Sequence, residues 1–126
     1  MKRCWFGLSL MVVILSISLI VTWGMDAIHR PIAQDLLQAA ECAQLGDWDN
    51  AAHFSQIAEG KWKKWEHFRA CFADHTPVEE ISAEFAAIAQ CRAAREAADF
   101  ASACARAAEM VRAVGDAHGL YWWNLL

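Results

Sequence analysis

Between Gly60 and His75 the chain reads GKWKKWEHFRACFADH, which gathers metal-binding, cationic and aromatic side chains into sixteen residues. On a regular helix, at about 100° per residue, His67, Cys71 and Asp74 fall at i, i+4 and i+7, within about 60° of one another. Imidazole, thiolate and carboxylate at that spacing are the ligand types of a transition-metal site, and His75 is the adjoining fourth candidate. A second element would have to complete the shell. Lys63 and Lys64 lie on the same side and repel a divalent cation, so the competing reading is the wet face of a long helix. His75 also suits a helix end, where an imidazole interacts with exposed carbonyls. No cofactor is required by the sequence; a divalent metal is the alternative to a plain solvated face.

The same stretch carries a second chemistry. In KWKKW the cations Lys61, Lys63 and Lys64 alternate with Trp62 and Trp65, a composition that suits lipid headgroups or an anionic polymer. Lysine stems also lie along apolar surface with the ammonium in water, which makes an ordinary solvated face the simpler expectation. Near the end, YWWNLL places Tyr121, Trp122 and Trp123 in a row, and one core cannot bury all three. With Lys63 and Lys64, Trp122 and Trp123 are the candidate interaction surface. Catalytic constellations are missing from the sequence: it has no Gly-rich phosphate loop, nucleophile elbow or HExxH, and Glu79-Glu80 suit the first turn of a helix. A non-enzymatic protein is expected.

The elements that position these residues read as helices. The outer sequence is rich in Ala, has only Pro31 and Pro77 as prolines, and contains no period-2 run. A first helix runs from Asp26 or Pro31 to Leu45 with Ile32, Leu36, Ala40 and Ala43 inward. Pro31 either starts it or kinks a helix continuing from the preceding segment. Gly46 ends it and Asp47 caps the next, which is expected from Trp48 to about Asp74. Its core face would hold Phe54, Ala58, Trp65, Phe68 and Phe72, flanked by Trp62. Thr76-Pro77-Val78-Glu79 forms a capping box for a third helix, with Val78, Ile81, Phe85 and Ile88 inward. The fourth begins near Asp99, turns Phe100, Ala103, Ala107, Met110 and Val114 inward, and stops at Gly115. GDWDNA at 46–51 and ADFASA at 98–103 match at an offset of 52, a turn signature of the tetratricopeptide (TPR) kind.

The first 25 residues differ. After the basic Lys2 and Arg3, Cys4 to Met25 carries no charge, and eleven of the residues from Trp5 to Trp23 are Leu, Ile, Val or Phe. That length suits a bilayer crossing, and Trp5 and Trp23 lie about 27 Å apart on a helix, matching the two interfacial belts. A cleaved signal peptide is the competing reading; Thr22-Trp23-Gly24 is a poor cleavage site. The positive-inside rule places Lys2 and Arg3 in the cytoplasm and residues 26–126 outside. That outer part has nine Lys or Arg against fifteen Asp or Glu, a net charge near −6, which argues against nucleic acid as a partner. Cys42, Cys71, Cys91 and Cys104 lie in Ala-rich helical sequence without tight pairing, where free thiols pack as small hydrophobes; two bridges in three connectivities are the alternative.

A short basic start and a span, then GDWDNA, then Trp62 and Trp65 followed by Asp74-His75, and a chain closing on NLL together resemble the bacterial proteins grouped as domain of unknown function 4363. The resemblance implies a small bacterial protein with an N-terminal anchor and a helical outer domain, and no activity, substrate or cofactor. The expectation is all-α: a transmembrane signal anchor over 1–25, then an antiparallel four-helix domain of two hairpins over 26–126. Anchoring in the bacterial cell membrane through residues 4–25 is expected, with the outer face open to a protein partner.

Overall fold

A computed structural model describes residues 2–66 and 75–117. Among them the chain forms α1 (Lys2–Gln44), α2 (Trp48–Lys64), α3 (His75–Ala94) and α4 (Ala97–Ala117), and no strand. The architecture is all-α, as the composition and spacing predict.

α1 is a single helix of 43 residues with Pro31 inside it, about 64 Å long. Of the two roles open to Pro31 in the sequence, the structure selects the continuing helix. Burial divides α1 in two. The large apolar side chains from Trp5 to Ile20, and Trp23, are exposed, whereas Met25, His29, Ile32, Ala33 and Leu36 are buried. Trp5 to Trp23 therefore extends largely bare from a bundle that begins at Met25. The predicted inward residues Ile32, Leu36, Ala40 and Ala43 all lie in the core.

The α1–α2 turn follows from Gly46 at φ +81°, a left-handed conformation that glycine adopts without a Cβ clash. Gly46 N–H donates to Ala43 O and Asp47 N–H to Cys42 O at 3.1 and 2.9 Å, the paired closure of a Schellman motif. Asp47 then caps α2, its carboxylate accepting from Asn50 N–H at 3.2 Å.

The α3–α4 turn repeats this geometry without a glycine. Arg95 occupies φ +57°, its N–H donates to Arg92 O, and Glu96 N–H donates to Cys91 O. Gly46 thus corresponds to Arg95 and Asp47 to Glu96. The hairpins repeat with an offset of 49, not the 52 suggested by GDWDNA and ADFASA. Asp99 lies inside the first turn of α4, not before it. The aromatics of that apparent repeat meet instead: the Trp48 and Phe100 rings are edge-to-face, 5.6 Å apart.

Two expectations for α2 are corrected. It ends at Lys64, with a turn at Trp65, where the spacing predicts one regular helix to about Asp74. Lys61, Lys63 and Lys64 fill its last turn, placing cations at the negative end of the helix dipole. The buried stripe is Ala51, Ser55, Ala58 and Trp62, so Trp62 is the core tryptophan, while Phe54 and Trp65 are half-buried. Phe68 and Phe72, counted into that face by the spacing, lie outside the described residues. His75, expected at the end of α2, begins α3.

In α3, Ile81, Phe85 and Ile88 are buried and Val78 packs against them. In α4, Phe100, Ala103, Ala107 and Val114 are buried as predicted, and Met110 is half-buried. α4 continues through Gly115 to Ala117.

Successive helices run antiparallel. α1 packs along both α2 and α4, and α3 packs along α4, while the α2 and α3 backbones approach closely at few positions. Long side chains fill that wider seam. Trp62 Nε1–H donates to Ser82 Oγ at 3.2 Å, and Ser82 Oγ–H in turn donates to Val78 O. Arg92 donates to Ser55 Oγ at 2.9 Å, and Ser55 Oγ–H donates to Ala52 O. The Trp62 ring also lies 6.0 Å from Phe85.

Candidate functional site

Lys63 and Lys64, the described part of the candidate interaction surface, are exposed at the C-terminal end of α2. Both are engaged locally: Lys63 Nζ pairs with Glu59 at 2.7 Å, and Lys64 Nζ stands 5.7 Å over the Trp65 ring. Lys61 bridges to Asp35 of α1 at 2.6 Å, a contact that ties the two helices rather than one offered outward. Trp122 and Trp123 lie outside the described residues, as do His67, Cys71 and Asp74 of the candidate metal stripe. Only the backbone of His75 is described, at the start of α3.

The structure brings together a different set of residues, at the end of the bundle where α1 emerges bare. Asp26, His29, Arg30 and Gln34 of α1 and Arg112, Gly115 and Asp116 of α4 line a cleft of about 240 Å³. His29 forms its floor: it is buried, its Nδ1 lies 2.7 Å from Met25 O, and a carbonyl only accepts, so Nδ1 carries a proton. The imidazole and the Trp62 ring stand edge-to-face, 6.2 Å apart.

Gly115 lets α4 come this close. A Cβ there would stand 3.3 Å from His29 Cβ, tighter than ordinary van der Waals contact. The sequence reads Gly115 as a helix stop; its position in the fold is a close crossing of α4 over α1.

The charges around the cleft balance. Arg30 pairs with Asp26 at 2.9 Å across one turn. Arg112 has Glu109 as its ion-pair neighbour at 3.8 Å, beyond hydrogen-bond length. Asp116 carries no ion pair among the described residues. Two arginines and two aspartates thus line one opening. Sequence reasoning missed this site because its charged halves, Asp26–Arg30 and Arg112–Asp116, are more than 80 residues apart; the available signal was that each is an i, i+4 Asp/Arg pair.

Cys42, Cys91 and Cys104 are free. Burial pushes the Cys104 thiol up to about 12, with Cys91 adding and Arg92 opposing. Partial desolvation also raises Cys42, helped by Asp47 and Glu41. Neither is poised as a thiolate nucleophile at neutral pH.

Among the described residues, then, the molecule is a small antiparallel helical bundle carried on one long apolar helix. The chain belongs to the family grouped as domain of unknown function 4363, whose sequence profile matches residues 22–125. The match starts near the end of the bare stretch and takes in the bundle. No curated protein and no solved structure matches the chain.

Proposed function

We propose that this protein is a single-pass, membrane-anchored interaction module, without catalysis of its own, that holds a protein partner near the outer face of a bacterial cell membrane. Residues 4–25 form the anchor, Lys2 and Arg3 stay in the cytoplasm, and residues 26–126 lie outside. The observation that carries this reading is the two-part burial of α1. One helix presents a window of mean hydropathy 2.3 with none of it buried, then continues without a break into the core at Met25. An apolar helix of that length, left bare by its own bundle, is stabilised by lipid. The interaction role is supported by helical hairpins that offer exposed faces, and by the absence of a catalytic constellation in the sequence.

The test is crosslinking and co-purification of the full-length protein from its native membrane. A reproducible partner, reduced by Trp122→Ala with Trp123→Ala or by Lys63→Ala with Lys64→Ala while the circular dichroism is unchanged, supports the module. A partner retained equally by both double variants, or no partner in repeated preparations, overturns it.

A further inference from the structure

We propose that the cleft between α1 and α4 binds the headgroup of a zwitterionic phospholipid carrying both a phosphate and a primary ammonium, as in phosphatidylethanolamine. The inference rests on the membrane-anchor reading above and assigns a ligand to the site beside the anchor.

Position is the first argument. If Trp23 marks the outer edge of the hydrocarbon, Asp26 stands about 4.5 Å and Arg30 about 10 Å beyond it along α1. The headgroup layer adds about 5 to 8 Å on each side of the hydrocarbon. Asp26 therefore lies within the headgroup layer, and Arg30 a few ångströms beyond it, within reach of its own side chain. A shallow groove lined by Trp23, Asp26, Ala27, Arg30 and Pro31 shares Asp26 and Arg30 with the cleft, and it leads from the apolar surface of α1 up to the charges. A lipid could follow that groove with its chains in the bilayer and its headgroup among the four charged residues.

Charge is the second argument. An anionic headgroup would meet Asp26 and Asp116, and the outer domain is already net negative. A cation alone would meet Arg30 and Arg112. Two cationic and two anionic side chains around one opening of about 240 Å³ match a ligand that carries both signs a few ångströms apart. Planar guanidinium groups suit phosphate, and carboxylates accept hydrogen bonds from a primary ammonium. Arg112 and Asp116 are the residues with capacity to spare, since Arg112 has its ion-pair neighbour only at 3.8 Å. The volume falls below the roughly 300–1,000 Å³ of sites that take drug-sized molecules, which fits a headgroup. Gly115 keeps the cleft open to His29, because a side chain there would fill the floor.

Phosphatidylcholine separates the two halves of the recognition: it keeps the phosphate but has no N–H to donate. Losing a charge-assisted hydrogen bond lowers affinity about tenfold.

The experiment reconstitutes the full-length protein into nanodiscs containing equal phosphatidylethanolamine, phosphatidylcholine and phosphatidylglycerol, strips them in mild detergent, and quantifies the lipid retained per protein. Expected is about tenfold enrichment of phosphatidylethanolamine over phosphatidylcholine. Asp116→Asn should abolish that preference, and Arg112→Gln should lower retention of both lipids, each with unchanged circular dichroism. Equal retention of the three lipids, enrichment of phosphatidylglycerol, or a preference indifferent to Asp116→Asn overturns the inference. A melting shift with soluble phosphoethanolamine but no lipid preference would assign the cleft to a soluble ligand and overturn it too. A carbonate wash of native membranes separates the two levels. Release of the protein overturns the anchor and this inference together, whereas retention with a flat lipid profile overturns this inference alone.

Discussion

Gly60 and Gly115 both lie inside helices, yet they answer to different demands. Nothing stands within 4 Å of a Cβ placed on Gly60, while one on Gly115 meets His29 at 3.3 Å. Gly60→Ala should therefore gain the helix-propensity difference, about 0.5–1 kcal/mol. Gly115→Ala should forfeit that gain to crowding, and Gly115→Val should destabilise by about 1–3 kcal/mol. Thermal melts of the three variants in one detergent check this; equal gains for the two alanine variants would mean that α4 does not press on α1 at His29. Cys104 makes a pH prediction. Its thiol is raised from 9.0 to about 12 by burial, so between those values the folded state binds more protons than the unfolded state. Stability is complete below pH 9 and falls as pH rises toward 12, by at most about 1.4 kcal/mol per pH unit from this group. Cys104→Ala should flatten that part of the stability–pH curve, measured by urea unfolding at pH 8 to 10.5. At this scale the sequence was legible where a residue acts through its own helix, as with the inward Ile32, Leu36, Ile81 and Phe100. It was not legible for Gly115, whose role depends on which helix crosses it.

The two hairpin turns show how far element-level signals reach. Gly46-Asp47 announces its turn because glycine is the residue that a left-handed C′ position favours and aspartate the one an N-cap favours. Arg95-Glu96 builds the same hydrogen-bonded turn from residues that announce nothing, and the repeat was consequently registered three residues late. Arg95 at φ +57° carries the steric penalty of a Cβ in that region. Arg95→Gly is expected to stabilise the bundle by up to about 1 kcal/mol, and Gly46→Ala to destabilise it by about as much. Matched chemical denaturation curves decide it; a loss of stability in Arg95→Gly would show that the arginine side chain contributes more than its backbone strain removes. The same reasoning explains the misplaced core face of α2. Periodicity assigns an inward face by the apolar residues counted in, and including Phe68 and Phe72 turned the face from Trp62 toward Trp65. Pro31 was half-legible: a proline reads equally as a start or as an interior kink until the continuity of α1 is known. Inside α1 it lacks the N–H that would bond Ala27 O. Pro31→Ala should restore that bond and raise the melting temperature by several degrees, as roughly 1–3 kcal/mol does in a domain of this size; an unchanged or lower value would mean that packing around the proline ring offsets the missing bond.

At the scale of the whole molecule, the long apolar helix was legible because an uncharged run is a property of composition, whereas the cleft was not, because it needs Asp26–Arg30 and Arg112–Asp116 placed side by side by the antiparallel bundle. The two features meet in α1, which leaves no flexible joint between the bare stretch and the core. On the anchor reading, the rigid helix fixes the cleft at a set height and rotation above the bilayer, and the orientation of the chain decides whether the cleft faces the outside. Lys2 and Arg3 precede the apolar run, and Arg30 follows it with Asp26 as its ion-pair partner at 2.9 Å. The positive-inside bias is thus two charges against one. Protease added to sealed cells should digest residues beyond 25 while an epitope placed before Lys2 survives. Replacing both leading charges in Lys2→Glu with Arg3→Glu leaves Arg30 as the nearest cation, so a substantial fraction of molecules should invert and become protected. If the double variant keeps the wild-type digestion pattern, the orientation is set by translocation of the folded outer sequence instead of by the two leading charges. If the wild-type protein is already protected, the bundle and its cleft face the cytoplasm, and a partner should be sought on that side.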